Sequence, residues 1–275
     1  MFEYIKKKID KIKSKRSLHE YGYQVNSFEL AKDGKIDYAQ WLHPYESEKQ
    51  ITQEMVQFYG SFAPLGSFII DIGAHTGDTA VPMAAAVGSA GMVLALEPNP
   101  YVFKILEKNA ALNRDKTNII PLNFAATAAD GSFEFNYSDA SFCNGGFLQS
   151  IENKNHGHKY TLQVQGKNLA NYLHKNYPEK LSSLRLVKVD AEGYDKEILK
   201  SILPILQKYK PHIISECNQN LTHAERTELF DLIHGMGYEI FKLDGFENKD
   251  AKTLISSASQ MNQWRHFDLI ASEKK

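Results

Sequence analysis

Cysteine is nearly missing from this chain: Cys143 and Cys217 are the only two among 275 residues, far apart and in no C-x-x-C spacing. That pattern disfavours a disulfide framework or a thiolate metal site and makes a reducing cytoplasm the expected setting. Net charge is missing too, since 32 basic side chains face 33 acidic ones for a formal charge of -1. Nothing global therefore draws the chain to nucleic acid, and a small-molecule or glycan substrate fits better. The longest uncharged stretch, Ala80 to Leu96, contains Pro82 and a Gly88-Ser89-Ala90-Gly91 break. Those residues divide it into helix, turn and strand, as a buried α/β unit requires, and argue against a membrane span. The Lys-rich start, Met1 to Arg16, has no apolar run after its charges and so does not read as a secretory signal.

What is present is alternation. Phe2, Ile5, Ile9 and Ile12 recur at helical spacing among lysines, predicting a short basic amphipathic helix. Its expected role is packing on the body, with weak contact to a membrane or a partner as the alternative. Asp33-Gly34 predicts a hairpin turn between Phe28-Glu29-Leu30 and Ile36-Asp37-Tyr38. A helix is expected from about Glu48 to Tyr59. From Ser67 onward, apolar runs at Phe68–Asp71, Met92–Glu97 and Asn118–Asn123 alternate with helical patterns, the rhythm of a parallel sheet. Leu184–Asp190, His212–Glu216, Tyr238–Leu243 and Phe267–Ala271 bring the count to seven strands. The expected fold class is α/β, doubly wound and Rossmann-like, with helices on both faces of a mostly parallel seven-stranded sheet. Residues 1–60 form an N-terminal helix and hairpin extension, and residues 61–275 the ligand-binding domain. Between the halves, strands at Phe133–Tyr137 and Tyr160–Val164 flank a long polar stretch, Ser138 to Lys159, which reads equally as a substrate lid or a surface loop.

The run Phe68 to Gly77 reads as a buried strand entering a glycine turn and then a helix. Gly73 and Gly77 give Gly-x-x-x-Gly where a dinucleotide fingerprint needs G-x-G-x-x-G. Asp71 at the strand's end would repel a pyrophosphate but welcome an α-ammonium group. Glu97, 26 positions on, ends the next strand, where a carboxylate can accept both hydroxyls of a ribose. Asn99 and Pro100 suit the start of the following helix. Adenine is expected near Asn123, Phe124 and Ala125, beyond the third strand.

These residues resemble the FkbM-type methyltransferases, a class I family that mostly methylates hydroxyl groups of sugars and natural products. The resemblance runs from about Ser67 to Leu243 and rests on five segments in order: Asp71 to Gly77, Leu96 to Pro100, Ala125 before Asp130-Gly131, Val187 to Gly193, and Ile213 to Glu216. Lys188-x-Asp190-x-Glu192-Gly193 is the most telling. Two departures fall on the acceptor half: Asn168-Leu169-Ala170 stands where the family often has Thr-Leu-Asp, and Tyr194-Asp195 where it usually has a small residue and then an acid. The resemblance implies S-adenosyl-L-methionine as cofactor, bound by Asp71, Gly73, His75, Gly77, Thr79, Glu97, Asn99, Asn123 and Ala125. It implies an O-methyltransferase on a small-molecule or glycan acceptor.

Methyl transfer to an alcohol needs alignment and a route for the proton. Asp190 and Glu192 are the candidate bases, and Lys188 lies on the same side of its strand as Asp190, where it can orient that carboxylate or bind the oxygen. Glu216, ending a neighbouring strand, ranks second. His156 and His158 stand in H-x-H spacing without a third ligand, so no metal is expected there; a carboxylate Mg²⁺ site at Asp190 or Glu216 is left open, as is oligomeric state. The competing functions are an NAD-dependent oxidoreductase, which should carry the three-glycine fingerprint, and a binding or scaffold protein with a degenerate pocket.

Overall fold

The computed structural model describes residues 2–143, 145–148 and 160–274. Helix α1 (Phe2–Arg16) leads to hairpin β1 (Tyr23–Leu30) and β2 (Gly34–Trp41), paired antiparallel with Leu30 opposite Gly34. Then come α2 (Gln53–Gly60), β3 (Phe68–Ile72), α3 (Ala80–Val87), β4 (Met92–Leu96), α4 (Pro100–Ala111) and β5 (Ile119–Leu122). An excursion through β6 (Ala125–Thr127), β7 (Gly131–Tyr137), β8 (Gly145–Leu148) and β9 (Tyr160–Asn168) ends in α5 (Leu169–Asn176). The chain returns through β10 (Leu184–Val189), α6 (Asp195–Ser201), α7 (Leu203–Tyr209), β11 (His212–Cys217), α8 (His223–Gly235), β12 (Tyr238–Leu243), β13 (Lys252–Ile255) and β14 (Phe267–Glu273).

The main sheet runs β13-β12-β14-β11-β10-β3-β4-β5. β11, β10, β3, β4 and β5 are parallel neighbours, whereas β14 is antiparallel to both β11 and β12. The seven expected strands are all in it, and β13 adds an eighth at the edge. β3 and β4 are buried at every position, as strands covered on both faces must be. Ile70 and Leu94 pack with α5 to α8 on one face, and Ile69 and Val93 with α2, α3 and the hairpin on the other. Each such side chain contributes about 1.5–3 kcal/mol of burial. A second, smaller sheet, β6-β9-β7-β8, contains the two strands expected between the halves.

Helix α2 begins five residues later than expected. Thr52 Oγ1 accepts the Met55 amide at 3.2 Å and caps the helix there, so residues 44–51 stay irregular and are free to approach the sheet's edge. α1 is fixed to the body from its carbonyl side, where Lys11 O accepts Tyr45 Oη at 3.4 Å and Lys15 O accepts Tyr160 Oη at 2.6 Å. Ile9 and Ile12 of its apolar stripe remain 46% and 48% exposed. The side chains of Phe2 and Ile5 lie outside the described residues, as do His156, His158 and most of the polar stretch that reads as a lid.

Successive strands after β3 are laid down on one side, β4 then β5, and the chain then crosses to the other side at β10. Ligands bind at such a switch point, beyond the carboxyl ends of the strands. Here that place is where β3 and β10 end.

Candidate active site

Three left-handed residues shape the turn after β3: Gly73 (φ 78°), His75 (φ 48°) and Gly77 (φ 96°). The amides of Gly73 and Ala74 donate to Leu96 O at 3.0 and 2.9 Å, stitching the turn to β4. Asn109 of α4, fully buried, donates to Thr76 O at 2.7 Å while its Oδ1 accepts the Ala39 amide at 2.6 Å. Tyr38 Oη and Thr76 Oγ1 lie 2.7 Å apart. The hairpin thus holds the turn from behind, and a local sequence of glycines becomes a fixed loop only through a residue 30-odd positions away.

The turn leaves the His75 amide pointing at Glu97, whose Oε2 accepts it at 3.0 Å while Oε1 accepts the Asn99 amide at 2.8 Å. Burial raises the Glu97 carboxyl above its ordinary value, against the pull of His75 and the two amides. Asn123 braces the same bend from outside, donating to Glu97 O at 2.8 Å. Asn99 Oδ1 accepts the Tyr101 amide to cap α4, and its Nδ2 donates to Phe142 O at 2.6 Å.

Lys188, next to last in β10, lies between two carboxylates, with Nζ 3.6 Å from Asp71 Oδ1 and 3.2 Å from Asp190 Oδ2. Burial alone would lower its pKa, but Asp190 and Asp71 together hold it well above the usual lysine value. Asp71 is pushed up by burial and pulled back by Lys188 and by Thr79, whose Oγ1 donates to Asp71 Oδ2 at 2.8 Å. With two carboxylates sharing it, Lys188 is the charged partner that decides the cluster's state. The loop that follows is locked by Asp195, which accepts the Ala191 amide, the Ser215 hydroxyl and the Glu216 amide. The acid at position 195 is thus a buried brace for the Glu192 loop, where Glu192 adopts φ 52°. Glu192 opens to solvent, yet protein surrounds it on most sides, and that enclosure with Glu216 and Asp190 nearby pushes its carboxyl up to about 7.

These groups surround a cavity of about 440 Å³. Gly73, His75, Thr79, Glu97, Asn99 and Ala125 line it, as do Lys188, Asp190 and Glu192. Asp71 does not: it is 0% exposed, so the direct ligand contact expected of it is not available, and it acts through Lys188 and Thr79. Gly77 is turned toward Leu106 of α4, and Asn123 toward backbone carbonyls, so neither is in the wall. Glu216 is also outside it; its Oε2 accepts Asn218 Nδ2 at 2.9 Å and its Oε1 lies 3.5 Å from His266 Nε2. The wall includes residues that sequence reasoning missed: Tyr45, Glu46 and Lys49 from the irregular segment before α2, and Asp78 beside the glycine turn. Asp78, an acid directly after Gly77, carried a usable signal. Glu46 and Lys49 carried none: Lys49 fell in the stretch read as helix and Glu46 just ahead of it. Among the described residues, no group of three His, Cys, Asp or Glu side chains is placed to hold a metal ion. None of the described helices is long and apolar enough to cross a membrane.

A family model described as the methyltransferase FkbM domain matches residues 71–240. Among curated proteins, the chain is 26% identical to methyltransferase sdnD of Sordaria araneosa, over 50% of this chain and 61% of that protein. It is 26% identical to hexuronic acid methyltransferase AglP of Haloferax volcanii, over 71% of this chain and 74% of that protein. The first of these matches thus spans about three fifths of its relative's length. Among solved structures, an O-methyltransferase from Bacillus cereus in complex with SAH aligns at a TM-score of 0.44 and 13% identity, covering 83% of this chain and 84% of that one. A SAM-dependent O-methyltransferase from Thermotoga maritima aligns at 0.41 and 12%, covering 92% and 78%.

Proposed function

The chain belongs to the FkbM methyltransferase family, and from that premise we propose that it uses S-adenosyl-L-methionine to methylate a hydroxyl of a sugar, glycan or natural product. The observation that carries the cofactor assignment is Glu97, a carboxylate pinned by two backbone amides at the cavity's edge, with no lysine or arginine in an ion pair with it among the described residues. A carboxylate so held accepts a vicinal diol and offers nothing to a pyrophosphate. The cavity also has the size range of a small-molecule site.

The residues fit this group. Glu97 would hold the ribose, Phe124 and Ala125 would wall the adenine, and the strand ends at Asp190 and Glu192 would face the reacting centre. When bound, the cofactor supplies a methyl on a sulfonium, open to in-line displacement. The chain's own part is to orient an alcohol and take its proton. Asp190 is engaged by Lys188 and serves best as a fixed acceptor that orients the hydroxyl. Among the described residues Glu192 has no cation beside it and is the better base, since a carboxyl near 7 takes up a proton far more readily than an ordinary one. Lys188 holds Asp190 in place.

The remaining parts of the proposal follow the sequence. Residues 1–60 act as an extension to a domain of residues 61–275. The substrate is a small molecule or glycan rather than nucleic acid, the setting is the cytoplasm, and α1 provides at most a weak membrane or partner contact.

Calorimetric titration with S-adenosylhomocysteine, with NAD⁺ beside it, tests the cofactor assignment. Micromolar binding of the first alone is the expected result. Binding of NAD⁺ alone would overturn the assignment.

A further inference from the structure

Among the described residues the cavity wall contains one lysine besides Lys188: Lys49. Its Nζ lies 2.7 Å from Asp78 Oδ2 and 3.3 Å from Glu46 Oε1. Glu46 is 6% exposed at its side chain, and its buried Oε1 is met by the Lys49 ammonium. The three groups therefore form a small cluster of one positive and two negative charges, facing the same space as Glu97. The Lys188 side chain is 4% exposed and that of Lys49 24%, so a ligand carboxylate entering the cavity finds the more accessible lysine at Lys49.

The segment bearing Glu46 and Lys49 is held in place. Gln40 of β2 accepts the Lys49 amide at 2.7 Å and donates to Ser47 O at 3.1 Å. The Glu46 amide donates to His43 O at 2.9 Å, and the Tyr45 amide to His43 Nδ1 at 3.1 Å. Asp78 is brought to it from the other side by the glycine turn. The burial that would raise Asp78 is outweighed by Lys49, and Lys49 is raised by Asp78 and Glu46 against its own burial, so Lys49 and Asp78 stand as an ion pair.

We propose that Lys49, Glu46 and Asp78 form a subsite for a zwitterionic α-amino acid group, the amino-acid end of the cofactor proposed above. Lys49 takes the carboxylate, and Glu46 and Asp78 take the ammonium. The proposal rests on the cofactor assignment but uses different residues from it. It also places two of the three groups outside residues 71–240, so the family domain alone does not complete the site.

The test is calorimetry on the full chain with two ligands that share a nucleoside and differ at this end: S-adenosylhomocysteine, and 5′-methylthioadenosine, which has no amino acid group. Wild-type protein should prefer the first by ten- to a hundredfold or more. In Lys49→Met and in Glu46→Gln that preference should collapse by at least tenfold, with methylthioadenosine affinity held within about twofold; Lys49→Arg should keep most of it. A wild type with no preference, or variants that weaken both ligands equally or neither, overturns the subsite while leaving the cofactor assignment standing. A wild type that binds neither ligand overturns the cofactor assignment and the subsite with it.

Discussion

Gly73 and Asp190 meet across the gap between β3 and β10: a Cβ on Gly73 would lie 1.9 Å from the Asp190 carbonyl oxygen. The Asp190 amide donates to Ile72 O at 3.0 Å in the same contact. The loop proposed for the cofactor and the loop proposed for the acceptor are thus in direct backbone contact.

Gly73→Ala should therefore displace both loops at once. Its φ of 78° already disfavours any side chain, and the obstacle is backbone, which cannot swing aside. We expect a loss of about 2–4 kcal/mol in urea unfolding and no measurable S-adenosylhomocysteine binding. Gly77→Ala is strained likewise by its φ of 96°, but its added Cβ would meet the side-chain atoms Leu106 Cδ1 at 3.1 Å and Asn109 Cβ at 3.5 Å rather than backbone, so it should cost less, about 1–2 kcal/mol. Equal losses in the two variants would argue against the loop contact as the cause.

Glu97→Ala removes the acceptor for two backbone amides and for the proposed diol. Binding of S-adenosylhomocysteine should weaken by roughly two to three orders of magnitude, and the fold should survive, since Asn123 still braces the bend. Calorimetry read beside circular dichroism checks both halves. Unchanged affinity would remove the ribose from this position.

The rate should depend on pH through Glu192. A base must be deprotonated to act, so with its carboxyl near 7 turnover should be low below that pH, rise through it and level off above. Glu192→Gln should lower kcat by about 10² or more and abolish the rise. Asp190→Asn should lower kcat while leaving the inflection in place. An inflection that survives in Glu192→Gln would assign the base elsewhere.

Lys188→Met strands two carboxylates. Asp71 has no access to water, so its charge would lose the lysine that faces it, and we expect destabilisation of about 3–5 kcal/mol in urea unfolding. Adding Asp71→Leu should recover part of that loss, and a double-mutant cycle with coupling below about 0.5 kcal/mol would show the pair to be independent.

The layered fold was legible because its signals are local. Continuous apolar runs at Phe68 to Ile72 and Met92 to Leu96, with glycine turns and a capped helix at Asn99, dictate buried parallel strands over short stretches of chain. Glu97 was found for the same reason, since a strand's last residue is easily located. Asp71 was found at the right place in the sheet with the wrong neighbour. Side-chain alternation cannot say whether a strand-end acid opens outward or is met by a lysine from the next strand, and here Lys188 meets it. Glu46 and Lys49 were invisible because their position depends on Thr52 starting α2 late and on Gln40 gripping the segment, and neither contact is a local preference. The small sheet was seen only in part: β6 has three residues and β8 four, too short for any period to register.

Strand β14 lies between β11 and β12 and is antiparallel to both. β12 and β13 consequently have no hydrogen-bonded route to the rest of the sheet until residues 267–273 have arrived between them. Assembly of this half must wait for the far end of the chain, whereas β3, β4 and β5 can pair as soon as they exist. The order of folding is therefore written into the order of the strands, with the cofactor half able to form first and the β12–β13 edge last.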